Sequence, residues 1–469
     1  MSLTLTDLFA GAGGSSTGAT HVPGVEVYVA ANHWQRAVDV HNANHPDALH
    51  VCADVSQINP RRFPRTDILW ASPECTNHSI AKGRRLDGAQ PDLFGDTLPD
   101  EAAERSRATM WDVVRFTEAH RYRAVIVENV IEIRRWQPFK AWLHAMHSLG
   151  YLHQEVYLNS MHAQAAGLPA PQSRDRIYVV FWKKGERKPD LERWISPPAY
   201  CPRCERVVSA RQHWKRPERP WGRYRSQYVY ACPTCRQTVE PAWLPAAAAI
   251  DWSIPGTRIG DRDKPLAEKT RRRIAAGIAR YWRPLGTVTT EPRHAVCQPP
   301  FIAELRGGGS DARGVDQPLA TVTAGGQHHA LVAPYHGTAE SARPAADPLG
   351  ALTTRDRYAL ITRHYSSAGD GAEMTTPATE ALRTLTTTAQ QSIVTPADLE
   401  AAQAHVDDCL FRMLEPHEVA AGMAFPHDYV WEGTRRERIR MAGNAVTPPA
   451  ARDLIAAVVE AITGEAVTA

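Results

Sequence analysis

Four cysteines in two tight pairs are the most explicit chemical signal in the 469-residue chain. Cys201-Pro-Arg-Cys204 and Cys232-Pro-Thr-Cys235 form two C-x2-C knuckles separated by 27 residues. Such knuckles can close four thiolates tetrahedrally around one ion, as a structural zinc requires. Cys fills all four positions and leaves no open coordination site, so the sequence predicts a structural metal. Cys75 has a different setting, in Ser72-Pro-Glu-Cys-Thr-Asn-His-Ser79 after the apolar run 68–71. A thiol just past a strand is held in place yet exposed, which suits a nucleophile. Glu128, in Val127-Glu-Asn-Val130, ends a second apolar run. Gln172-Ser-Arg-Asp-Arg-Ile177 opens a third, with Arg174 and Arg176 two residues apart and so on one face of a strand. Asp7-Leu-Phe-Ala-Gly-Ala-Gly-Gly14 follows a predicted strand, and its glycines allow a sharp turn and close backbone approach to a ligand.

These groups need a scaffold that brings strand ends together. Apolar runs predict strands over 3–8, 25–30, 68–71, 124–127 and 176–182, and helical spacing predicts helices over 34–43, 110–120 and 139–149. The alternation reads as a doubly wound, Rossmann-like α/β domain over 1–195. Pro197 and Pro198 mark a boundary to a zinc ribbon over 196–245. Residues 246–400 read as a basic helix, 266–282, followed by a β-rich repeat array. Similar strings start at Pro284, Pro318, Pro348 and Ala381, spaced 34, 30 and 33 residues apart. Ribbon and array together read as a β-rich, zinc-containing target recognition domain. Residues 401–469 return to the first domain and end in a helix over 449–462.

Net charge is +3, but 201–236 holds nine Lys/Arg against Glu205 and Glu218, a local +7 that leaves the remainder near −4. A basic island on a neutral body is the footprint of a phosphate-binding surface. Trp214, Trp221, Tyr224, Tyr228 and Tyr230 interleave with the arginines, which suits nucleic-acid contact, though several should form the ribbon's core. Hydrophobic residues at 43% and charged residues at 22% are ordinary for a globular protein. The start lacks a signal-peptide pattern and no apolar window reaches ~18 residues, so a cytoplasmic monomer with no membrane segment is expected.

Together, and in this order, these motifs resemble the DNA cytosine-5 methyltransferase family over roughly 1–190 and 409–465. The C-terminal strings Arg412-Met-Leu-Glu-Pro-His-Glu418, Phe425-Pro426, Tyr429 and Ala442-Gly-Asn-Ala-Val-Thr-Pro-Pro449 resemble the family's closing motifs. The resemblance implies S-adenosylmethionine as methyl donor, held by Phe9, Ala10, Gly11, Gly13, Gly14, Asn32, Asp54, Val55, Pro73, Asn444 and Val446. It implies double-stranded DNA as substrate, with a cytosine flipped out of the stack. Cys75 would add to carbon 6, Glu128 would protonate ring nitrogen 3, and Arg176 with Arg174 would hold the base oxygen. Residues 76–106, with Lys82, Gly83, Arg84 and Arg85, would form a lid. The chain departs from the pattern in having Glu74 between Pro73 and Cys75, and Asn32 where the family has an acid. An RNA cytosine-5 methyltransferase, a transferase using a modified donor, and a non-catalytic DNA-binding protein are the alternative readings. An associated restriction nuclease or a further cytosine-modifying enzyme is the expected partner. Sequence readout is expected from 196–400, with Arg306, Gln327, His328, Arg355 and Arg357 facing bases. Lys215, Arg216, Arg219, Arg223 and Arg225 are expected on phosphates.

Overall fold

Strands covered by helices on both faces read as nearly unbroken apolar runs, and the first of the chain's two compact units is built from such runs. The computed structural model describes residues 2–73, 101–281, 301–304, 312–321, 329–334, 360–363, 375–377, 391–394 and 405–467. The first unit comprises 1–250, 318–326 and 415–469. Its strands are β1 (Leu3–Leu8), β2 (Val25–Asn32), β3 (Leu49–Cys52), β4 (Ile68–Ala71), β5 (Ala124–Asn129), β6 (Tyr151–Asn159) and β7 (Asp175–Lys183). They form one sheet in the order β3-β2-β1-β4-β5-β7-β6. β1 to β5 pair in parallel, and β7 runs antiparallel between β5 and β6.

Strand order reverses between β1 and β4, the switch point beyond which α/β sheets bind ligands. All five expected strands form. β3 and β6 were not expected because they are the sheet's edges, where polar residues such as His50, His153, Gln154 and Glu155 interrupt the apolar run.

Helices α1 (Gly14–Thr20), α2 (Gln35–Asn44), α3 (Glu101–His120) and α4 (Phe139–Ser148) are joined by α5 (Pro416–Gly422), α6 (Arg435–Asn444) and α7 (Pro448–Thr463). α3 begins nine residues before the predicted start, so the last residues of the expected lid, 101–106, are helical. Period-2 alternation divides the sheet residues between two cores. Leu69, Val125, Val127 and Phe181 face Met110, Phe116 and Trp142 of α3 and α4. Leu5, Trp70, Ile126 and Val180 face Ala19 of α1 and Leu454, Ile455 and Val458 of α7.

α7 is buried along most of its length, with Pro448 in its first turn and Gly464 at φ 81 closing it. It lies so close to α1 that a Cβ on Gly18 would sit 2.4 Å from the Pro448 carbonyl oxygen and 2.6 Å from the Ala451 Cβ.

The four-cysteine segment also belongs to the first unit. Its hairpin Pro198–Cys201/Arg206–Ser209 and its three strands Arg211–Trp214, Tyr228–Ala231 and Thr238–Val239 carry Val208, Tyr228, Tyr230 and Val239 into the core that holds Tyr157 and Phe181. Leu319–Ala320, from the second repeat, pairs in parallel with Gln172–Ser173.

The second unit covers 251–317 and 327–414. Thr257–Arg258, Cys409–Met413, His329–Pro334, Phe301–Glu304 and Ala312–Gly314 form an antiparallel sheet in that order. Helix Glu268–Tyr281 covers it through Ile274, Ala275 and Ile278. The apolar stretches after the first two repeats pair directly, Ile302 opposite Leu331. The third, Leu360–Arg363, lies in a separate three-stranded sheet with Thr375–Pro377 and Gln391–Val394. Cys409–Met413 is a strand of this second unit, and the first unit resumes at Glu415. Arg306, Gln327, His328, Arg355 and Arg357 lie outside the described residues. Among the described residues, no helix is long and apolar enough to cross a membrane.

The α1–α7 approach makes Gly18→Ala a sharp test of the packing. Overpacking against backbone atoms should cost about 1–3 kcal/mol, read as a lower urea midpoint at unchanged slope. An unchanged midpoint would show that the two helices do not meet this closely.

Candidate active site

β1 delivers the chain to the sheet's carboxyl edge, where three left-handed residues turn it into α1. Phe9 has φ 61, Gly11 φ 56 and Gly13 φ 96. A side chain in that conformation costs roughly 1–2 kcal/mol, so Phe9 needs neighbours that hold it. Ala10 N donates to Ala31 O at 3.1 Å, and the Tyr429 hydroxyl donates to Ala12 O.

The glycines serve different ends. A Cβ on Gly11 would meet nothing within 4 Å, so open space borders the loop there. One on Gly14 would lie 2.1 Å from Val446 O, so the closing string packs directly on the loop. Asn444, at the end of α6, is exposed.

Beneath the loop runs a buried polar chain. Asp7 accepts from Ser15 Oγ at 2.6 Å and Ser16 Oγ at 2.7 Å, and burial lifts its pKa to about 6. Ser16 has spent its hydrogen, so the His41 Nε2–H must donate to it, at 2.9 Å. The His41 Nδ1 then accepts from His50 Nε2 at 2.8 Å. Thr17 gives its hydrogen to Gly13 O, so His45 Nε2 donates to Thr17 Oγ1 at 3.1 Å. Burial first, then the neighbouring histidines, pushes the His41 pKa well down and that of His45 to about 4.

At the ends of the next strands, Asn32 Oδ1 accepts from Trp34 N at 2.9 Å. Asp54 is exposed and caps the turn Val55–Gln57 through Ser56 N, while Val55 is buried. The Arg440 guanidinium covers the Trp34 ring at 4.7 Å.

Across the switch point, Ser72 N donates to Leu8 O at 3.1 Å, and Asn129 Nδ2 donates to Pro73 O at 3.3 Å. Cys75 and the expected lid residues Lys82, Gly83, Arg84 and Arg85 lie outside the described residues. Glu128 is the penultimate residue of β5, and antiparallel β7 brings Arg176 to the same edge, its Nε 2.8 Å from Glu128 Oε1.

Arg174 and Arg176, expected on one face, take different partners. Asn159 Oδ1 accepts from Arg174 N at 3.0 Å, and β7 starts at the next residue, Asp175. Arg174 is buried and reaches Ala445 O at 3.1 Å, whereas Arg176 pairs with Glu128.

The four cysteine sulfurs lie within 4.8 Å of one another, with Cys201 and Cys235 at 3.5 Å and Cys204 and Cys232 at 3.8 Å. Bonds of ~2.3 Å from a central zinc would set tetrahedral edges near ~3.8 Å. The residue after each knuckle, Glu205 at φ 51 and Arg236 at φ 60, turns left-handed and folds the two loops alike.

The surrounding basic residues are less available than their number suggests. Arg223 pairs with Glu132, Arg225 with Glu240, and Arg211 with Glu192. Tyr228 and Tyr230 are fully buried, and Tyr224 nearly so. They form the core of the segment, while Trp214 and Trp221 stay partly buried. The histidine chain, the Asn129–Pro73 tie and the contact of Tyr224 with Asp175 escaped the sequence reading. Their partners lie on different elements, and no spacing rule joins them.

A histidine held neutral stabilises the fold above its unfolded pKa of about 6.5 and loses that contribution as pH falls toward about 4. Asp7 acts in the opposite sense, since its protonated form is favoured below about 6. His45→Gln removes one of these contributions. Between pH 7 and pH 5 the variant should gain about 2 kcal/mol relative to wild type in urea unfolding. Parallel pH profiles would refute the buried neutral histidine.

Comparison with known proteins gives this geometry a family. The family model for C-5 cytosine-specific DNA methylases matches residues 3–203 and 348–460. Type II methyltransferase M1.ScrFI of Lactococcus lactis subsp. cremoris is 29% identical over 180 residues, 38% of this chain and 40% of that protein. Type II methyltransferase M.SsoII of Shigella sonnei is 28% identical over 182 residues, 38% of this chain and 42% of that one. The matched region thus spans about two fifths of the length of these relatives. A crystal structure of the S. pombe Dnmt2 methyltransferase superposes at TM-score 0.48 and 14% identity, covering 98% of this chain and 99% of that one. With the family model matched over both the glycine-loop region and the closing motifs, the chain belongs to the C-5 cytosine-specific DNA methylases.

Proposed function

We propose that this protein transfers a methyl group from S-adenosylmethionine to carbon 5 of a flipped cytosine in double-stranded DNA. The carrying observation is the Glu128–Arg176 pair, whose neighbour Asn129 bonds to the Pro73 carbonyl, two residues before Cys75 in sequence and across the switch point from the glycine loop. Carbon 5 of cytosine becomes nucleophilic only after addition at carbon 6. The Cys75 thiolate adds there, and electrons move through the ring toward nitrogen 3, where Glu128 supplies a proton. Arg176 stabilises charge on the base oxygen. Carbon 5 takes the methyl group as the thioether S-adenosylhomocysteine leaves. The carbon 5 proton departs to a base, Cys75 is expelled as thiolate, and the nitrogen 3 proton returns to Glu128. Arg174 is better suited to a structural role, since its guanidinium already serves Ala445 O.

The residues of the glycine loop fit the donor. Open space borders Gly11, Phe9 offers a half-buried ring, and the Asn32 Nδ2 remains to meet a hydroxyl once Oδ1 has accepted from Trp34. S-adenosylmethionine supplies an electrophilic methyl group on a sulfonium. Ala10, Gly13, Gly14, Val55, Pro73 and Val446 would border it, with Asp54 and Asn444 at the exposed rim. The type II names of its relatives support a role beside a restriction nuclease.

The four cysteines are read as one structural zinc site, supported by sulfur separations of 3.5 and 3.8 Å. Purified protein should contain one zinc per chain, and the double change Cys204→Ser with Cys235→Ser should lower its melting temperature. Zinc-free protein of undiminished stability would refute the site.

Bisulfite sequencing of DNA from cells expressing the chain should reveal 5-methylcytosine at a defined sequence. Cys75→Ser should abolish the signal while DNA binding persists, and Glu128→Gln should slow transfer by roughly 10²–10⁴-fold. Methylation by the Cys75→Ser protein would overturn the covalent route.

A further inference from the structure

The four-cysteine segment meets the sheet at points that surround one pair of side chains. Tyr224 N donates to Asp175 Oδ1 at 3.0 Å, and Asp175 directly precedes Arg176, whose Nη1 donates to the Asp175 carbonyl at 2.9 Å. Arg223 forms an ion pair with Glu132, in the turn Ile131–Arg135 that leaves Glu128. Gln212 Nε2 donates to Tyr157 O at 2.5 Å, and the next residue of β6, Leu158, is the register partner of Arg176. The Tyr224 ring stands edge-on to His162 at 4.5 Å, in the turn Ser160–His162 that follows β6.

The loop that carries Arg223 and Tyr224 is tightly bonded to itself. Arg223 N donates to Gln227 Oε1 at 2.8 Å, Gln227 N to Arg223 O at 2.9 Å, and Arg225 N to Tyr228 O at 2.7 Å. Gly222 has φ +139, and a Cβ there would meet the Gln227 side chain at 2.4 Å. Past the loop, Tyr228–Ala231 leads straight into Cys232. The segment therefore runs from the sulfur cluster through a short strand to a stiff loop gripping both sides of Glu128 and Arg176.

We propose that loop 222–228 is a positioning element for the Glu128–Arg176 pair, tied through Arg223 to Glu132 and through Tyr224 to Asp175, so that the four-cysteine module acts on the chemical step. The proposal rests on the methyltransferase reading for its kinetic consequence only. It reassigns Arg223, whose charge is committed to a carboxylate, from phosphate contact to holding the turn after Glu128.

Two measurements on the full chain decide it. In hydrogen exchange, Arg223→Ala should speed exchange of the amides of Ile133 and Ile177 while amides in α7 keep their protection. In single-turnover assays with DNA in excess, Arg223→Ala should slow methyl transfer by about 10–100-fold, with S-adenosylmethionine affinity and the salt dependence of DNA binding unchanged. Asp175→Asn should act in the same direction, and Arg223→Lys, which keeps the ion pair, should recover part of the rate. A phosphate-contacting Arg223 would instead weaken DNA binding and flatten its salt dependence by about one ion, with the rate at saturation intact. That result, or unchanged exchange at Ile133 and Ile177, overturns the proposal. If the wild-type protein transfers no methyl group, the methyltransferase reading fails and the exchange measurement still decides the positioning role.

Discussion

A buried carboxylate and a guanidinium 2.8 Å apart, Glu128 and Arg176, set the terms for the rest of the first unit. Removing two charges from water is expensive, and their attraction repays that cost only with good geometry and further hydrogen bonds. The geometry comes from one topological feature. β7 runs antiparallel beside β5, so its first residues arrive at the edge where the parallel strands end. A parallel strand in that place would put Arg176 at the opposite edge. One further bond reaches the pair directly, from Arg176 Nη1 to the Asp175 carbonyl, while the four-cysteine segment bonds to the neighbouring Asp175 carboxylate and to Glu132.

The same edge is shaped from the other side by close backbone approach. Gly14 and Gly18 let the 446–451 backbone come within distances that no side chain tolerates. That proximity seats α7 on α1 and Val446 on the loop, so residues 446–451 pack directly against residues 14–18. The left-handed Phe9 is held in this frame, and the Asp7–Ser16–His41–His50 chain supports it from below with every hydrogen assigned. A loop that must present backbone to a ligand without rearranging benefits from such support, because its ordering cost is met on folding rather than on binding.

Charge on the four-cysteine segment illustrates how composition can mislead about direction. Nine Lys/Arg in 201–236 describe a basic island, and part of it can face phosphates. Three of its arginines are nevertheless committed to Glu132, Glu192 and Glu240, all outside that window. Local charge counting cannot see partners that lie outside the window, here 15 to 91 residues away in sequence. The aromatic residues divide in the same manner, with Tyr224, Tyr228 and Tyr230 packed inward and Trp214 and Trp221 nearer the surface.

The sequence by itself determined the parallel core strands, the glycine loop, the two knuckles and the closing motifs, because each is written in consecutive residues. Apolar runs mark buried strands, glycines mark a turn, and paired C-x2-C spacings mark a four-cysteine cluster. It also placed Glu128 and Arg176 at strand ends, since both flank such runs. Edge strands β3 and β6 were illegible because an edge needs no continuous apolar stretch. Only the tertiary structure decided that β7 inserts antiparallel, that Arg174 turns to Ala445 while Arg176 turns to Glu128, and that Cys409–Met413 joins the second unit. Only it joined Arg223 to Glu132 and Tyr224 to Asp175, 91 and 49 residues apart. The physical reason is common to all of these. Local pattern fixes which element a residue occupies, whereas a side chain's partner is set by register and strand order, which depend on the whole chain at once.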